Sequence, residues 1–198
     1  MRKFLTVAVL VAVAACGAEE AETPDTLRLM AHDSFAGSVS EETFAGFTES
    51  TGIGVEMIAA GDAGSMVNQA ALSKDNPLAD VMFGVDDTFL SRAIDEEIFA
   101  EHRSGLLGEI EDQFVPDTDL VTPIDYGDVC INYDKSWFAE AGTTVPTELD
   151  QLRDPALARM LTVEHPATSS PGLAFLLATI DEYGEDGWLE FWSDLKAG

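Results

Sequence analysis

Cysteine, histidine and positive charge are all scarce in this chain. Its 198 residues hold two cysteines, Cys16 and Cys130, too few for a disulfide framework. Three histidines stand apart at positions 32, 102 and 165. They lack the spacing that metal ligation needs, so no metal site and no cofactor is expected. Lysine and arginine together number 10 against 37 aspartates and glutamates, a formal net charge of -27. A surface of that sign repels phosphate backbones, which excludes nucleic acid as a partner. It attracts cations, a cationic small solute among them. Solubility or a saline habitat would account for the acidity equally well, and charge alone does not separate these readings.

The longest apolar run opens the chain. In “MRKFLTVAVLVAVAACGAEEAETPD”, Arg2 and Lys3 precede an apolar stretch from Phe4 to Ala15, and small residues lead into Cys16. This reads as a secretory signal, too short for an ordinary membrane span. Val13-Ala14-Ala15-Cys16 resembles the bacterial lipobox, which implies lipidation of Cys16. Residues 1–15 are then a lipoprotein signal peptide and 16–26 a polar tether. The mature chain would be periplasmic or at the cell surface, held to the membrane by its lipid alone. Cys130, in “GDVCINYD”, then has no partner. It reads as a small buried hydrophobe in a strand-like run, with no histidine near it in sequence to make a nucleophile.

With 46% hydrophobic residues the chain can build a core, and its pattern alternates. “TLRLMA”, “IGVEMIAA” and “ADVMFGV” read as strands. “SEETFAGFTESTG”, “SMVNQAALSKD” and “TFLSRAIDEEIFA” read as helices between and after them. That rhythm predicts βαβ units around a parallel sheet, assigned to a first lobe over 27–124. “LVTPIDYGDVCINYDKSWF”, broken by Pro123 and Gly127, reads as a crossover. Residues 125–198 then hold the crossover and part of a second lobe: a helix “PTELDQLRDPALARM”, a strand “LTVEH” and an apolar helix. In “DGWLEFWSDLKAG” Trp188, Phe191, Trp192 and Leu195 share one helical face, read as core. One strand and two helices do not close a second sheet, so the chain is expected to be the N-terminal part of a longer protein.

Two loops stand out. In “HPATSSPGLAF”, Ser170 suits the N-cap and Pro171 the first helical position, which leaves Thr168 and Ser169 as surplus hydroxyls. A helix start carries unpaired N–H groups and partial positive charge, so this segment is either an anion site or a decorated cap. “AAGDAGSMVNQ” has the same character: Gly61 and Gly64 permit a tight turn and Ser65 can cap. It lacks the lysine of a P-loop. Asp62 would oppose a bare phosphate but suit a ligand that also carries a cation. Two such loops on either side of a crossover suggest lobes that close on one ligand.

“AHDSFAG”, “DNPLADVMFGVD”, “PIDYGD…NYDK” and “TSSPGLAFLL” together resemble the thiamine-binding periplasmic component of bacterial thiamine ABC importers, from about Leu27 onward. The resemblance implies an α/β, two-lobe periplasmic-binding-protein fold of type II, incomplete at its C-terminus. It implies capture of thiamine or thiamine phosphates for an ABC permease and its ATPase, by a monomer. It places ligand contacts on Asp62, Ala63, Ser169 and Ser170, with Gly64 as an alternative N–H donor. The family's tyrosine after the first strand is replaced by His32, beside Asp33, and His32 is either a ring-stacking group or a plain strand-end residue. Asp86 and the Asp125–Tyr126 pair border the cleft, more as hinge and scaffold than as direct contacts. The family's main ring-binding aromatics fall after Gly198, so this chain is expected to bind thiamine poorly or not at all. The wider superfamily leaves iron(III), spermidine or a phosphorylated metabolite as alternative ligands. An enzyme is not expected: His32, Asp33 and Ser34 are consecutive and cannot converge as a triad, and neither His102, read as an exposed helix end, nor His165 has a paired nucleophile.

Overall fold

The computed structural model describes residues 25–198; the signal segment 1–15, the lipidation residue Cys16 and nearly all of the tether lie outside them. Strands β1 (Thr26–Ala31), β2 (Gly54–Ala59) and β3 (Val81–Phe83) form one parallel sheet in the order β2-β1-β3. β1 is central, and its Leu29, Met30 and Ala31 are buried, as expected of a strand covered on both faces. Ala31 lies opposite Ala59 on one side and Phe83 on the other, so the three strands end level. The chain passes from β1 to β2 on one side and returns across β1 to β3 on the other. That reversal opens a crevice at the C-terminal edge of a parallel sheet.

The helices of this unit follow the apolar spacing. Helices α1 (Asp33–Ser38) and α2 (Ala45–Thr51) join β1 to β2, and α2 ends at the left-handed Gly52. Helix α3 (Ala63–Leu72) turns Met66 and Val67 fully inward. Met66 packs with Met30 and Ala60; Val67 and Ala63 pack with Phe89 and Ala93 of helix α4 (Asp87–Asp95). Burying side chains of this size contributes about 1.5–3 kcal/mol each.

The rest of the chain departs from expectation in several places. His102 is exposed as expected, but in a loop rather than at a helix end. The stretch 121–134 pairs with no strand among the described residues, and Cys130 is exposed instead of buried. The expected strand “LTVEH” likewise forms no ladder among the described residues. Both segments have strand-like composition, but a strand exists only through a partner. Helix α5 (Lys135–Ala141) is capped by Asp134. The single helix expected over 146–160 is split into a 3-10 segment, Leu149–Arg153, and a short α6 (Pro155–Ala158). Pro155 cannot continue a helix interior, and the Asp154 carboxylate instead accepts the Ala156 N–H at 2.7 Å to start a new one.

Helix α7 (Ser170–Ala197) is broken at Gly184, whose φ of 68° and ψ of -179° are not helical. The rings of Phe175 and Trp192 lie 5.5 Å apart, whereas a straight helix would separate them by roughly 25 Å, so the two limbs double back as a hairpin. Phe191 is fully buried, and the Trp192 indole N–H donates to Thr179 Oγ1 at 2.9 Å. Phe191 is core as its spacing predicts, while Trp188, Trp192 and Leu195 of the same face are half-buried. Arg153 fastens the 3-10 segment to the second limb through Asp194 at 2.7 Å and Glu190 at 3.3 Å. Burial, followed by a hydrogen bond to Asp150, pushes the Tyr183 phenol up to about 12. No helix among the described residues is long and apolar enough to cross a membrane.

One ion pair ties β1 to the loop before β3. The Arg28 guanidinium donates to both oxygens of Asp80, at 3.0 and 3.3 Å, and the Arg28 backbone N–H adds a third bond at 2.8 Å. These bonds hold the Asp80 carboxyl below its ordinary value of 3.8. A lowered folded-state value means stability that is present above the ordinary carboxylate range and lost as pH falls through the folded value. Asp80→Asn should therefore lower urea stability at neutral pH and shrink the difference between neutral and strongly acidic pH. An unchanged pH difference would show that the pair contributes nothing.

Candidate functional site

The loops that follow the three strand ends converge at the crevice, and short-range bonds fix each one. After β1, His32 caps α1: its Nδ1 accepts the Phe35 N–H at 3.1 Å and lies 2.9 Å from the Ser34 hydroxyl. His32 thus stands at the end of β1 as the N-cap of α1. Asp33 accepts the Gly61 N–H at 2.8 Å, and its own N–H donates to the Gly61 carbonyl at 3.0 Å. This reciprocal pair locks the loop after β1 to the loop after β2. After β3, Asp86 caps α4, accepting the Thr88 N–H at 3.2 Å and its hydroxyl at 2.6 Å. Tyr126 is largely exposed and stacks on Phe114 with ring centroids 4.6 Å apart.

Asp62 is different. It is the N-cap residue of α3, the place expected for Ser65, yet its side chain makes no capping bond. An exposed carboxylate is thus left beside a helix start. Among the described residues the Ala63 and Ser65 N–H groups of that first turn donate to no protein acceptor.

The second loop meets this one directly. Thr168 presents its carbonyl to the Gly64 N–H at 2.9 Å. A Cβ on Gly64 would lie 2.7 Å from the Ala167 carbonyl oxygen and 2.9 Å from the Phe89 ring, so the contact requires glycine. Leu173, one turn into α7, packs on the cluster of Ala63, Val67, Phe89 and Ala93. The first turns of α3 and α7, predicted separately from their loops, therefore lie side by side.

The cap of α7 falls one residue earlier than its sequence suggests. Ser169, not Ser170, is the N-cap, with Ser170 first and Pro171 second in the helix. Ser169 is 4% exposed. Its Oγ accepts the Gly172 N–H at 3.2 Å and donates to the Glu164 carboxylate. Ser170 becomes the surplus hydroxyl, and its N–H has no acceptor among the described residues. Glu164 is the residue that sequence reasoning missed. It stands five places before the cap, beyond the reach of a local capping pattern.

A profile of bacterial extracellular solute-binding proteins matches residues 76–198, more than half of the chain. The chain belongs to that family. Among curated relatives of this solute-binding protein, the thiamine-binding periplasmic protein of Salmonella typhimurium is 30% identical over 146 residues, covering 72% of this chain and 42% of the relative. That of Brucella suis is 26% identical over 179 residues, covering 85% and 50%. The chain spans about half the length of the curated relatives it matches. Among solved structures, a periplasmic thiamin binding protein superposes with TM-score 0.59 at 23% identity, over 86% of this chain and 52% of that one. A fructose-6-phosphate-bound protein of Actinobacillus pleuropneumoniae gives 0.65 at 19% identity, over 86% and 54%. The iron-bound protein of Pseudomonas aeruginosa gives 0.61 at 20% identity, over 88% and 55%. These likenesses establish the type II periplasmic-binding-protein fold.

Gly64→Ala should destabilise the solute-binding chain by about 1–3 kcal/mol through overpacking, read from urea denaturation. A neutral result would mean that the two loops separate freely. Ser169→Ala should cost about 1 kcal/mol for the lost cap, read from thermal denaturation, whereas Ser170→Ala should leave the melting temperature nearly unchanged.

Proposed function

We propose that the chain is an extracytoplasmic lipoprotein, anchored through Cys16, that captures thiamine or a thiamine phosphate. An ABC permease and its ATPase would then take up the bound solute. It performs no chemistry and acts as a monomer. The observation that carries this reading is the meeting of the α3 and α7 first turns, joined through Gly64 and Thr168 beside an uncapped carboxylate at Asp62. Free N–H groups at Ala63, Ser65 and Ser170 and the Ser170 hydroxyl suit the polar end of a small solute. Asp62 suits a cation on the same solute. The names of the curated relatives support thiamine as that solute. Ser169 contributes by fixing the α7 cap, and Asp33 and Asp86 by fixing the neighbouring loops.

A second reading keeps the fold and the site but changes the ligand. The sugar-phosphate-bound and iron-bound structural neighbours favour it.

Titrating thiamine into the ¹⁵N-labelled chain tests the proposal, because amide shifts register even weak binding. The expected result is perturbation confined to residues 62–66 and 168–173, reduced roughly tenfold in apparent affinity by Asp62→Asn, in line with the loss of one charge-assisted bond. If ferric ion or fructose 6-phosphate moves these amides while thiamine leaves them untouched, the thiamine reading fails.

A further inference from the structure

Two of the three histidines serve as hydrogen-bond acceptors, and both stand on loops that meet at the crevice. A backbone N–H can only donate. The Phe35 N–H therefore fixes His32 Nδ1 as an acceptor at 3.1 Å, and the Ala167 N–H does the same for His165 Nδ1 at 3.1 Å. A neutral imidazole has one acceptor nitrogen and a charged one has none. Each bond thus exists only while its ring is uncharged. Imidazole is the side chain whose charge ordinarily changes between about pH 5 and 8. His102 lies in an exposed loop, and its ring makes no hydrogen bond among the described residues.

His32 touches or neighbours all three loops at the strand ends. It caps α1 in the loop after β1. Its ring packs on Gly84 in the loop after β3, where φ is 108° and a Cβ would collide with the ring. Its neighbour Asp33 is bonded in both directions to Gly61 in the loop after β2. A partner for an added proton is present as well, because Ser34 Oγ lies 2.9 Å from the same Nδ1. With the ring neutral the hydroxyl donates. With the ring charged the hydroxyl accepts from Nδ1–H, and the Phe35 N–H loses its acceptor. On the facing loop, the His165 carbonyl accepts the Thr168 and Ser169 N–H groups at 3.1 and 2.9 Å, so His165 shapes the turn that presents the Thr168 carbonyl to Gly64. The groups that pack on His32 from β3 and the loop after it, Phe83 and Gly84, carry no charge. The charged groups of the converging loops are Asp33, Asp62, Asp86 and Asp87, with Glu164 beside His165. Carboxylates ordinarily titrate near 4, below the imidazole interval.

We propose that His32 and His165 are proton-sensitive latches on the two sides of the crevice, closed while neutral and opened by acid. Protonation of His32 hands its Nδ1 from the Phe35 N–H to the Ser34 hydroxyl and places positive charge at the start of α1, against the helix dipole. The loosened cap is passed to the loop after β2 through Asp33 and Gly61. Protonation of His165 frees the Ala167 N–H and relaxes the turn before α7. The inference goes beyond the solute-binding reading and does not depend on which solute the crevice takes.

The test is a pH titration of the ¹⁵N-labelled chain without added solute, from about pH 8 to about pH 5, following the histidine ring protons and the amides of Asp33, Phe35, Gly61 and Ala167. The Phe35 amide should move with the same midpoint as the His32 ring, and the Ala167 amide with that of the His165 ring. Asp33 and Gly61 should follow Phe35. Hydrogen exchange at Phe35, corrected for its intrinsic pH dependence, should speed roughly fivefold across the His32 midpoint, as the loss of one net hydrogen bond implies. His32→Asn and His165→Asn keep a side-chain acceptor that does not titrate, asparagine being a favoured cap, and each should abolish the movement in its own loop while leaving the amide dispersion of a folded chain. Ser34→Ala removes the partner for the added proton and should move the His32 midpoint to lower pH. Amides that stay still while the rings titrate overturn the proposal. So does a movement that survives the asparagine variants, which would assign it to the carboxylates, and so does one that disappears in His102→Asn. A Phe35 response that leaves Asp33 and Gly61 unmoved overturns the transmission to the crevice, and an unchanged midpoint in Ser34→Ala overturns the exchange of partners at Nδ1.

Discussion

The hydrogen bond from the Gly64 N–H to the Thr168 carbonyl is the contact on which the site depends. It joins residues more than a hundred positions apart and sets two helix starts against each other. Two positive helix ends brought together repel unless something neutral or negative lies between them. The Thr168 carbonyl lies at that contact, and the Asp62 and Glu164 carboxylates stand beside the two helix starts. Leu173, packed on the α3–α4 cluster, supplies the apolar adhesion that keeps the polar contact in register.

The sheet beneath supplies precision. Because Ala31, Ala59 and Phe83 end level, the three following loops open in one plane. The reciprocal bonds between Asp33 and Gly61 then remove the freedom that two adjacent loops would otherwise have. Most polar residues around the crevice are spent in this way, His32 on α1, Asp86 on α4 and Ser169 on α7. The few groups left over among the described residues, the Asp62 carboxylate, the Ala63 and Ser65 N–H groups and the Ser170 hydroxyl and N–H, are conspicuous because their neighbours are satisfied.

Legibility in the sequence followed the range of the interactions involved. The βαβ alternation over β1–β3, the stop at Gly52 and the apolar face of Phe191 and Trp192 were all readable, since period and punctuation are local signals. The two loops were readable for the same reason. The strand expected at “LTVEH” and the burial expected of Cys130 were not found, because each requires a partner that composition cannot supply. The α7 cap was misplaced by one residue. Ser169 and Ser170 are equivalent to a local rule, and what distinguishes them is the Glu164 carboxylate five residues back together with burial by the surrounding fold. The exchange between Asp33 and Gly61 spans 28 positions and has no local trace at all.

The exposed run from Ile124 to Tyr133 has a colloidal consequence. Ile124, Tyr126, Val129, Ile131 and Tyr133 all face solvent on backbone that joins no sheet among the described residues. An unpaired apolar segment of this kind is a template for another strand. Mutual repulsion between chains of net charge -27 opposes such pairing at low ionic strength, but its reach shrinks to about 3 Å in molar salt. The acidity that attracts cations therefore also keeps copies of the chain apart, and a concentrated brine brings the sticky edges within range of one another.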